Sequence, residues 1–300
     1  MTKTCIVIAG PTAVGKTTLA IKMAQIFSTD IISADSRQCY KELNIGVAKP
    51  SEEELSLIHH YFINSFSISD LISAADFEKY ALASINKIFE QRDAAIMVGG
   101  TGLYIRSFCE GLDDIPGITD EVKKIVADNY AAAGIEWLQE QLKKNDPEYF
   151  QKGEILNPQR MMRALEVVLT TGKSILSFQS NRSAKRDFNI IKIGLELPRE
   201  DLYNRINQRV DEMVASGLGA EVESLIPYKS FNALQTVGYR ELFDYFEGKN
   251  SLDNAINLIK QNTRHYAKRQ MTWFKKDTTI NWVDMRNPDQ AIDSIKKIIK

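Results

Sequence analysis

Apolar and polar positions along the chain fall into two regimes. Over residues 1–112, short unbroken apolar runs alternate with segments whose apolar residues recur at helical spacing. Residues 5–9 (CIVIA) form the first run, and 17–27 follows as a helix with Leu19, Met23 and Ile26 on one face. Residues 31–35 (IISAD) predict a second strand, with Asp35 at its C-terminal end. Residues 73–92 predict a helix carrying Phe77, Tyr80, Ala81, Ile85 and Ile88, and 94–98 (AAIMV) a third strand. Continuous apolar strands joined by helices belong to a parallel α/β sheet covered on both faces.

After Leu112 the pattern changes. Residues 113–187 predict helices without strands. Thr119 caps one that begins with Asp120 and Glu121, and Gly134 ends it. A second runs over 135–144. Asn157 and Pro158 open a third, which Gly172 closes, with Met162, Leu165, Val168 and Leu169 as its core face. Arg160 and Arg163 share another face, beside Gln159, and the closing loop carries Arg182, Lys185 and Arg186. A strand returns at 190–197. Helix 199–216 follows with Leu202, Ile206, Val210 and Met213 inward, then a long helix over 252–274, a last strand at 279–283 and a terminal helix opened by Asn287 and Pro288.

Composition narrows the class. The 300 residues carry a net charge of −1 and are 44% hydrophobic, ample for a globular core. No run of eighteen apolar residues and no signal peptide interrupts the pattern, so no membrane partner is expected. Three widely spaced cysteines (Cys5, Cys39, Cys109) suit a reducing, cytoplasmic setting. His59 and His60, side by side, face opposite ways and have no CxxC or HExxH companion, so they read as loop and packing residues rather than a zinc site.

The chemistry concentrates between the first strand and its helix. Gly10, Pro11, Thr12, Ala13, Val14, Gly15, Lys16 and Thr17 complete a G-x-x-x-x-G-K-[ST] pattern in the strand–turn–helix context it requires. Glycines let backbone N–H groups wrap a phosphate, Lys16 supplies a point charge, and the Thr17 hydroxyl suits Mg²⁺. The expected architecture is therefore a P-loop NTPase-like parallel sheet core, residues 1–112 and 188–300, with an inserted helical domain at 113–187. The loop identifies a diphosphate or nucleotide ligand such as ATP, without fixing the reaction. Asp35 reaches the same crevice at the carboxyl edge of the sheet. Its position fits a catalytic carboxylate, a helix cap or a metal ligand equally. The strand at 94–98 ends in Gly99-Gly100-Thr101-Gly102, where a nucleoside triphosphatase often has Asp, and this brings Thr101 to the ligand. A tight turn accounts for those glycines but not for Thr101. Arg205 and Arg209, one turn apart, fit either a diphosphate clamp or salt bridges. Lys260, Arg264 and Lys268, with Arg269, Lys275 and Lys276 near them, form the stronger polyanion footprint.

Six stretches carry a resemblance: GPTAVGKT, ADSRQCYKELNIGVAKP, MVGGTGLYIRS, NPQRMMRALEV, TVGYREL and AKRQMTWFK, in this order across nearly the whole chain. Together they resemble the bacterial tRNA dimethylallyltransferase family. The resemblance implies transfer of a dimethylallyl group from dimethylallyl diphosphate to N6 of the adenine 3′-adjacent to the anticodon, in tRNAs reading codons that begin with U. It implies released diphosphate and a Mg²⁺ requirement. It makes Asp35 the base and places Thr101 at the reacting centre. It implies tRNA contacts at Asp35, Ser36, Arg37, Gln38, Thr101 and Lys123, and at Gln159, Arg160, Met161, Met162 and Arg163 in an inserted tRNA-binding lobe. The target base must be flipped from its stack to reach the phosphate loop. A monomer acting on the tRNA anticodon stem-loop is the expected working unit. One stretch departs: the family's usual D-I-G-T-A-K-P is here Asn44-Ile45-Gly46-Val47-Ala48-Lys49-Pro50. Three other classes compete. They are a small-molecule kinase using ATP at the loop, an isopentenyltransferase acting on free adenine nucleotides, and a non-enzymatic RNA-binding module.

Overall fold

The structure is a computed structural model that describes residues 3–179 and 184–299. The expected basic contribution of Arg182 lies outside the described residues. The chain packs as two compact units, Met1–Glu110 with Lys185–Lys300, and Gly111–Ala184.

The first unit is built on a parallel sheet with six strands among the described residues, in the order β3-β2-β4-β1-β5-β6. β1 (Thr4–Ala9) lies near its middle, hydrogen-bonded to β4 and β5 on either side. With helices on both faces, its residues Cys5 to Ala9 are all buried, which explains the unbroken apolar run. α1 (Lys16–Phe27) leads to β2 (Ile31–Ala34). There the predicted inward face needs correcting. Leu19 and Met23 are buried, but Ile26 is 46% exposed, and Ala20, Ile21 and Ala24 pack instead. The two apolar stripes overlap, and the small alanines let α1 lie closer to the sheet than the larger Ile26 would.

α2 (Glu52–Leu57) opens with a capping box from Ser51 and Glu54. It leads into β3 (His60–Tyr61), a two-residue edge strand formed where the sequence suggested only loop. α3 (Ala74–Gln91) is again started by a capping box, Ser73 with Asp76. β4 (Ala94–Gly99) and α4 (Gly102–Glu110) complete the first half.

The second unit is helical. α5 (Asp120–Asn145) is capped by Thr119 and broken at Gly134, whose φ of 72° and ψ of −162° are not helical. α6 (Pro147–Lys152) starts at the Asp146 cap, and α7 (Pro158–Thr171) at the Asn157 cap, ending in a left-handed Gly172. The core face of α7 differs from the expected one. Met161, Ala164, Leu165 and Val168 are buried, while Leu169 is 47% exposed and Met162 half-buried. Both candidate stripes share Leu165 and Val168, and the true one runs about 100° further round the helix at its ends.

The chain returns to the sheet as β5 (Asn189–Glu196). α8 (Arg199–Ala215), α9 (Leu218–Ser224), α10 (Tyr239–Phe246) and α11 (Leu252–Phe274) follow. The last strand, β6 (Asn281–Asp284), lies two residues beyond its predicted start, and α12 (Pro288–Ile299) ends the described chain. The parallel arrangement puts the loops after β1, β2 and β4 on one edge of the sheet, where ligands of open α/β sheets bind.

Candidate active site

Loop 10–15 turns sharply from β1 into α1. Gly10 and Gly15 have φ of 154° and 100°, and Ala13 also has a positive φ of 64°. A side chain at Gly10 would stand 2.8 Å from the Leu195 carbonyl oxygen, so the β1–β5 contact leaves no room for one. Lys16 begins α1, and its Nζ donates to the Pro11 carbonyl at 2.7 Å. Burial pulls the Lys16 ammonium down to about 7, with Asp35 opposing the shift and Arg209 adding to it. Its charge is thus poised to respond to an incoming anion.

The β2 terminus supplies the opposite wall. Asp35 Oδ1 accepts from the backbone N–H groups of Arg37 at 2.9 Å and Gln38 at 3.3 Å. No helix follows Asp35, so it caps a turn rather than the helix weighed from sequence, and this engages one oxygen only. Thr101 stands beside it: its Oγ1 accepts the Ser36 N–H at 3.0 Å, and its own N–H donates to the Ala34 carbonyl at 3.2 Å. Thr101 thereby ties the end of β4 to the segment that carries Asp35.

The glycines around Thr101 serve space rather than a tight turn. Neither Gly99, Gly100 nor Gly102 has a positive φ. A Cβ at Gly100 would meet Gln270 Nε2 at 2.2 Å, and one at Gly102 the Trp273 ring at 2.2 Å. Helix α11 presses on this loop, and Gln270 is buried where it does so. A polar residue on the apolar stripe of Ile259, Ala267 and Phe274 is the sequence signal that could have singled it out.

Asp35, Lys16, Thr12 and Thr17 open into one cavity of about 700 Å³. Ser36, Arg37 and Gln38 line it as well. Arg209 enters from α8, 3.4 Å from the Thr12 hydroxyl, and burial lowers its pKa. A neighbouring cavity of about 350 Å³ shares Lys16, Thr17 and Arg209 and adds Arg205. Among the described residues neither arginine forms an ion pair, so the salt-bridge alternative for them falls away. The long-helix basic stripe needs the opposite correction. Lys260 pairs with Asp211 at 2.6 Å, and Arg264 donates to Asn207 at 2.6 Å, so both face α8 and only Lys268 of the three is exposed.

The departures at 44 and 47 leave their loop intact. Asn44 Oδ1 accepts from Lys49 Nζ at 3.0 Å, and Val47 packs its side chain against the core while its carbonyl accepts from Gln38 Nε2 at 3.2 Å. In the helical unit, Gln159 is exposed, Lys123 pairs with Asp120 at 2.9 Å, Arg160 with Glu154, and Arg163 with Glu166 at 3.6 Å. Lys123 and Arg160 sit in weak surface pairs that an anionic partner can displace, whereas the Glu166 partner of Arg163 is half-buried. Met161 is the exception in this group. It is fully buried in the unit's core, so its side chain packs rather than meets a partner.

An IPP transferase family model matches residues 38–277. The chain belongs to this family, the tRNA dimethylallyltransferases. A tRNA dimethylallyltransferase of Christiangramia forsetii is 47% identical over 97% of each chain. One of Flavobacterium johnsoniae is 50% identical over 94% of this chain and 93% of its own. Among solved structures, a tRNA isopentenylpyrophosphate transferase of Bacillus halodurans is similar with a TM-score of 0.72 and 34% identity, covering 99% of this chain and 96% of its own. A eukaryotic dimethylallyltransferase acting on tRNA is similar with a TM-score of 0.79 and 28% identity, covering 96% and 75%. The core of this IPP transferase family member is accordingly P-loop NTPase-like.

Proposed function

We propose that the protein transfers a dimethylallyl group from dimethylallyl diphosphate to N6 of the adenine 3′-adjacent to the anticodon in tRNAs reading codons that begin with U. Membership of the tRNA dimethylallyltransferases supports the reaction class. The observation that carries the site is the sharing of one cavity by the phosphate-loop Lys16 and the Asp35 carboxylate.

The adenine amine is a weak nucleophile because its lone pair is delocalised into the ring. Asp35 takes the N6 proton as the new carbon–nitrogen bond forms. Oδ1 is fixed by two backbone donors, and Oδ2 has no hydrogen bond among the described residues, so one oxygen orients the group and the other accepts. The carbon–oxygen bond to diphosphate breaks as negative charge gathers on the leaving group. Lys16, the loop N–H groups, Arg209 and Arg205 neutralise that charge. Thr101 holds the Asp35 segment against the end of β4. The adenine leaves its stack to enter the cavity, past Ser36, Arg37 and Gln38. Lys123, Gln159, Arg160, Met162 and Arg163 of the helical unit hold the anticodon stem-loop through its phosphates and sugars.

Among the described residues no cluster of three carboxylate, histidine or cysteine ligands could hold a metal. The Thr17 hydroxyl is a protein oxygen available at the loop. This fits Mg²⁺, which keeps several waters and takes its other ligands from substrate phosphates. When bound there, Mg²⁺ would supply further neutralisation of the diphosphate. No helix among the described residues is long and apolar enough to cross a membrane, and a cytoplasmic monomer accords with the tRNA substrate.

Mass spectrometry of nucleosides from unmodified tRNA incubated with the protein, Mg²⁺ and dimethylallyl diphosphate tests the reading. One isopentenyl group gained on the adenosine next to the anticodon is the expected product. Product on free AMP but not on tRNA would move the assignment to a nucleotide-level enzyme.

A further inference from the structure

Glu221 lies on α9, outside the phosphate loop and the sheet-edge loops, yet its carboxylate is saturated with donors. Three successive N–H groups point at it, from Asn44 at 3.1 Å, Ile45 at 2.8 Å and Gly46 at 3.0 Å. The Tyr239 hydroxyl adds a fourth bond at 2.6 Å. A run of adjacent N–H groups is an anion cradle, and here the chain supplies its own anion. The Tyr239 ring is fully buried and packs so tightly on Gly46 that a Cβ there would meet it at 2.6 Å. Glu221 therefore fastens two separate stretches that line the reaction cavity, 46–48 and 235–238.

The fastening reaches Asp35 through one side chain. Gln38 Nε2 donates to the Val47 carbonyl at 3.2 Å and to the Ala48 carbonyl at 2.9 Å. The same residue's backbone N–H is one of the two donors to Asp35 Oδ1. The path is continuous: Glu221 fixes the backbone at 44–46, the carbonyls of 47 and 48 fix Gln38, and Gln38 fixes the carboxylate. This use of the Gln38 amide leaves it little freedom to address a substrate.

We infer that Glu221 is a positioning residue for the transfer reaction: by anchoring loop 44–48 it holds Gln38, and through Gln38 the orientation of Asp35. The inference rests on Asp35 acting as the base. Loss of the anchor frees the carboxylate to wander from the N6 proton, and a misplacement of about 1 Å costs on the order of a hundredfold in rate.

The test is single-turnover transfer to tRNA from dimethylallyl diphosphate, both saturating, measured for the wild type, Glu221→Gln, Gln38→Met and the double variant, with donor affinity by calorimetry. Thermal melting is recorded for each. All variants leave in place the charged groups around Asp35, Lys16, Arg37 and Arg209. The expected result is a rate per folded molecule lower by on the order of a hundredfold in each single variant, no further loss in the double variant because both residues act along one path, and unchanged affinity for dimethylallyl diphosphate. A merely structural role lowers the rate only through the folded fraction. A wild-type rate per folded molecule in both single variants, or losses that add in the double variant, overturn the inference. Should Glu221→Gln fail to fold, Gln38→Met decides by the same rate. A wild type that makes no product on tRNA overturns the transferase reading, and the inference with it.

Discussion

Gln270 Oε1 accepts the Thr12 backbone N–H at 2.9 Å. Its Nε2 donates to the Gly100 carbonyl at 2.9 Å, so one buried amide from α11 spans the phosphate loop and the β4 terminus. Replacing Gln270 by Ala leaves both backbone groups unpaired. Each buried polar group so orphaned costs about 1–3 kcal/mol. A matching loss in urea-induced unfolding, with weaker diphosphate binding by calorimetry, is expected. Diphosphate affinity unchanged in Gln270→Ala would mean that the loop holds its shape without this strut.

Two glycine substitutions should move stability in opposite directions. Gly100→Ala would set a Cβ 2.2 Å from Gln270 Nε2, whereas Gly219, in the first turn of α9, has nothing within 4 Å. Overpacking makes Gly100→Ala destabilising by about 1–3 kcal/mol. Gly219→Ala should stabilise by about 0.5–1 kcal/mol, because alanine surrenders less entropy in a helix. Thermal melting of the pair separates the two effects.

Lys16 gives diphosphate binding a pH dependence of fixed sign. Its pKa is lowered to about 7 in the free protein, chiefly by burial. Bound diphosphate stabilises the charged form and raises that value. Below pH 7 the lysine is already charged and affinity is flat in this respect. Above 7, binding must take up a proton, and affinity falls by up to tenfold per pH unit until the pKa of the complex is reached. Calorimetry in buffers of different ionisation enthalpy detects the proton, and Lys16→Met should abolish the uptake. For folding the sign runs the other way: the unfolded chain binds the extra proton between about pH 7 and its usual 10.5, so Lys16 makes stability rise with pH in that window.

Asp35→Asn keeps an acceptor for the Arg37 and Gln38 N–H groups but removes the base. Transfer should fall by about 10²–10⁴-fold while tRNA affinity, measured by filter binding, changes little. Near-normal turnover in Asp35→Asn would assign the proton to another group.

Arg160 and Arg163 should reveal themselves through salt. If each contacts one tRNA phosphate, the double alanine variant lowers the slope of log affinity against log salt by about 1.4–1.8. An unaltered slope would take both out of the interface.

Much of the site was legible because its determinants are local. The phosphate loop is eight consecutive residues whose turn, charge and hydroxyl are all written in order, and Asp35 follows directly from the end of an apolar run. What escaped depends on partners far away in the chain. Nothing near Gln270 announces that its contacts are Thr12 and Gly100, 258 and 170 residues distant. Lys260 and Arg264 form a regular basic stripe, yet α8 sits against it and takes up two of its three cations. The stripes of α7 failed for a subtler reason. Met161 and Met162 are equivalent in hydrophobicity, and only the helices packed against them decide which one enters the core.

The two outermost strands of the sheet are β3, with two residues, and β6, with four. A strand at the rim offers unpaired backbone groups to any other chain it meets, and its capacity to recruit one grows with its length. The interior strands, rich in valine, isoleucine and alanine, would be strong templates for intermolecular pairing if they lay there. By keeping short strands outermost, the fold carries its own protection against aggregation at the high concentrations met in expression and crystallisation.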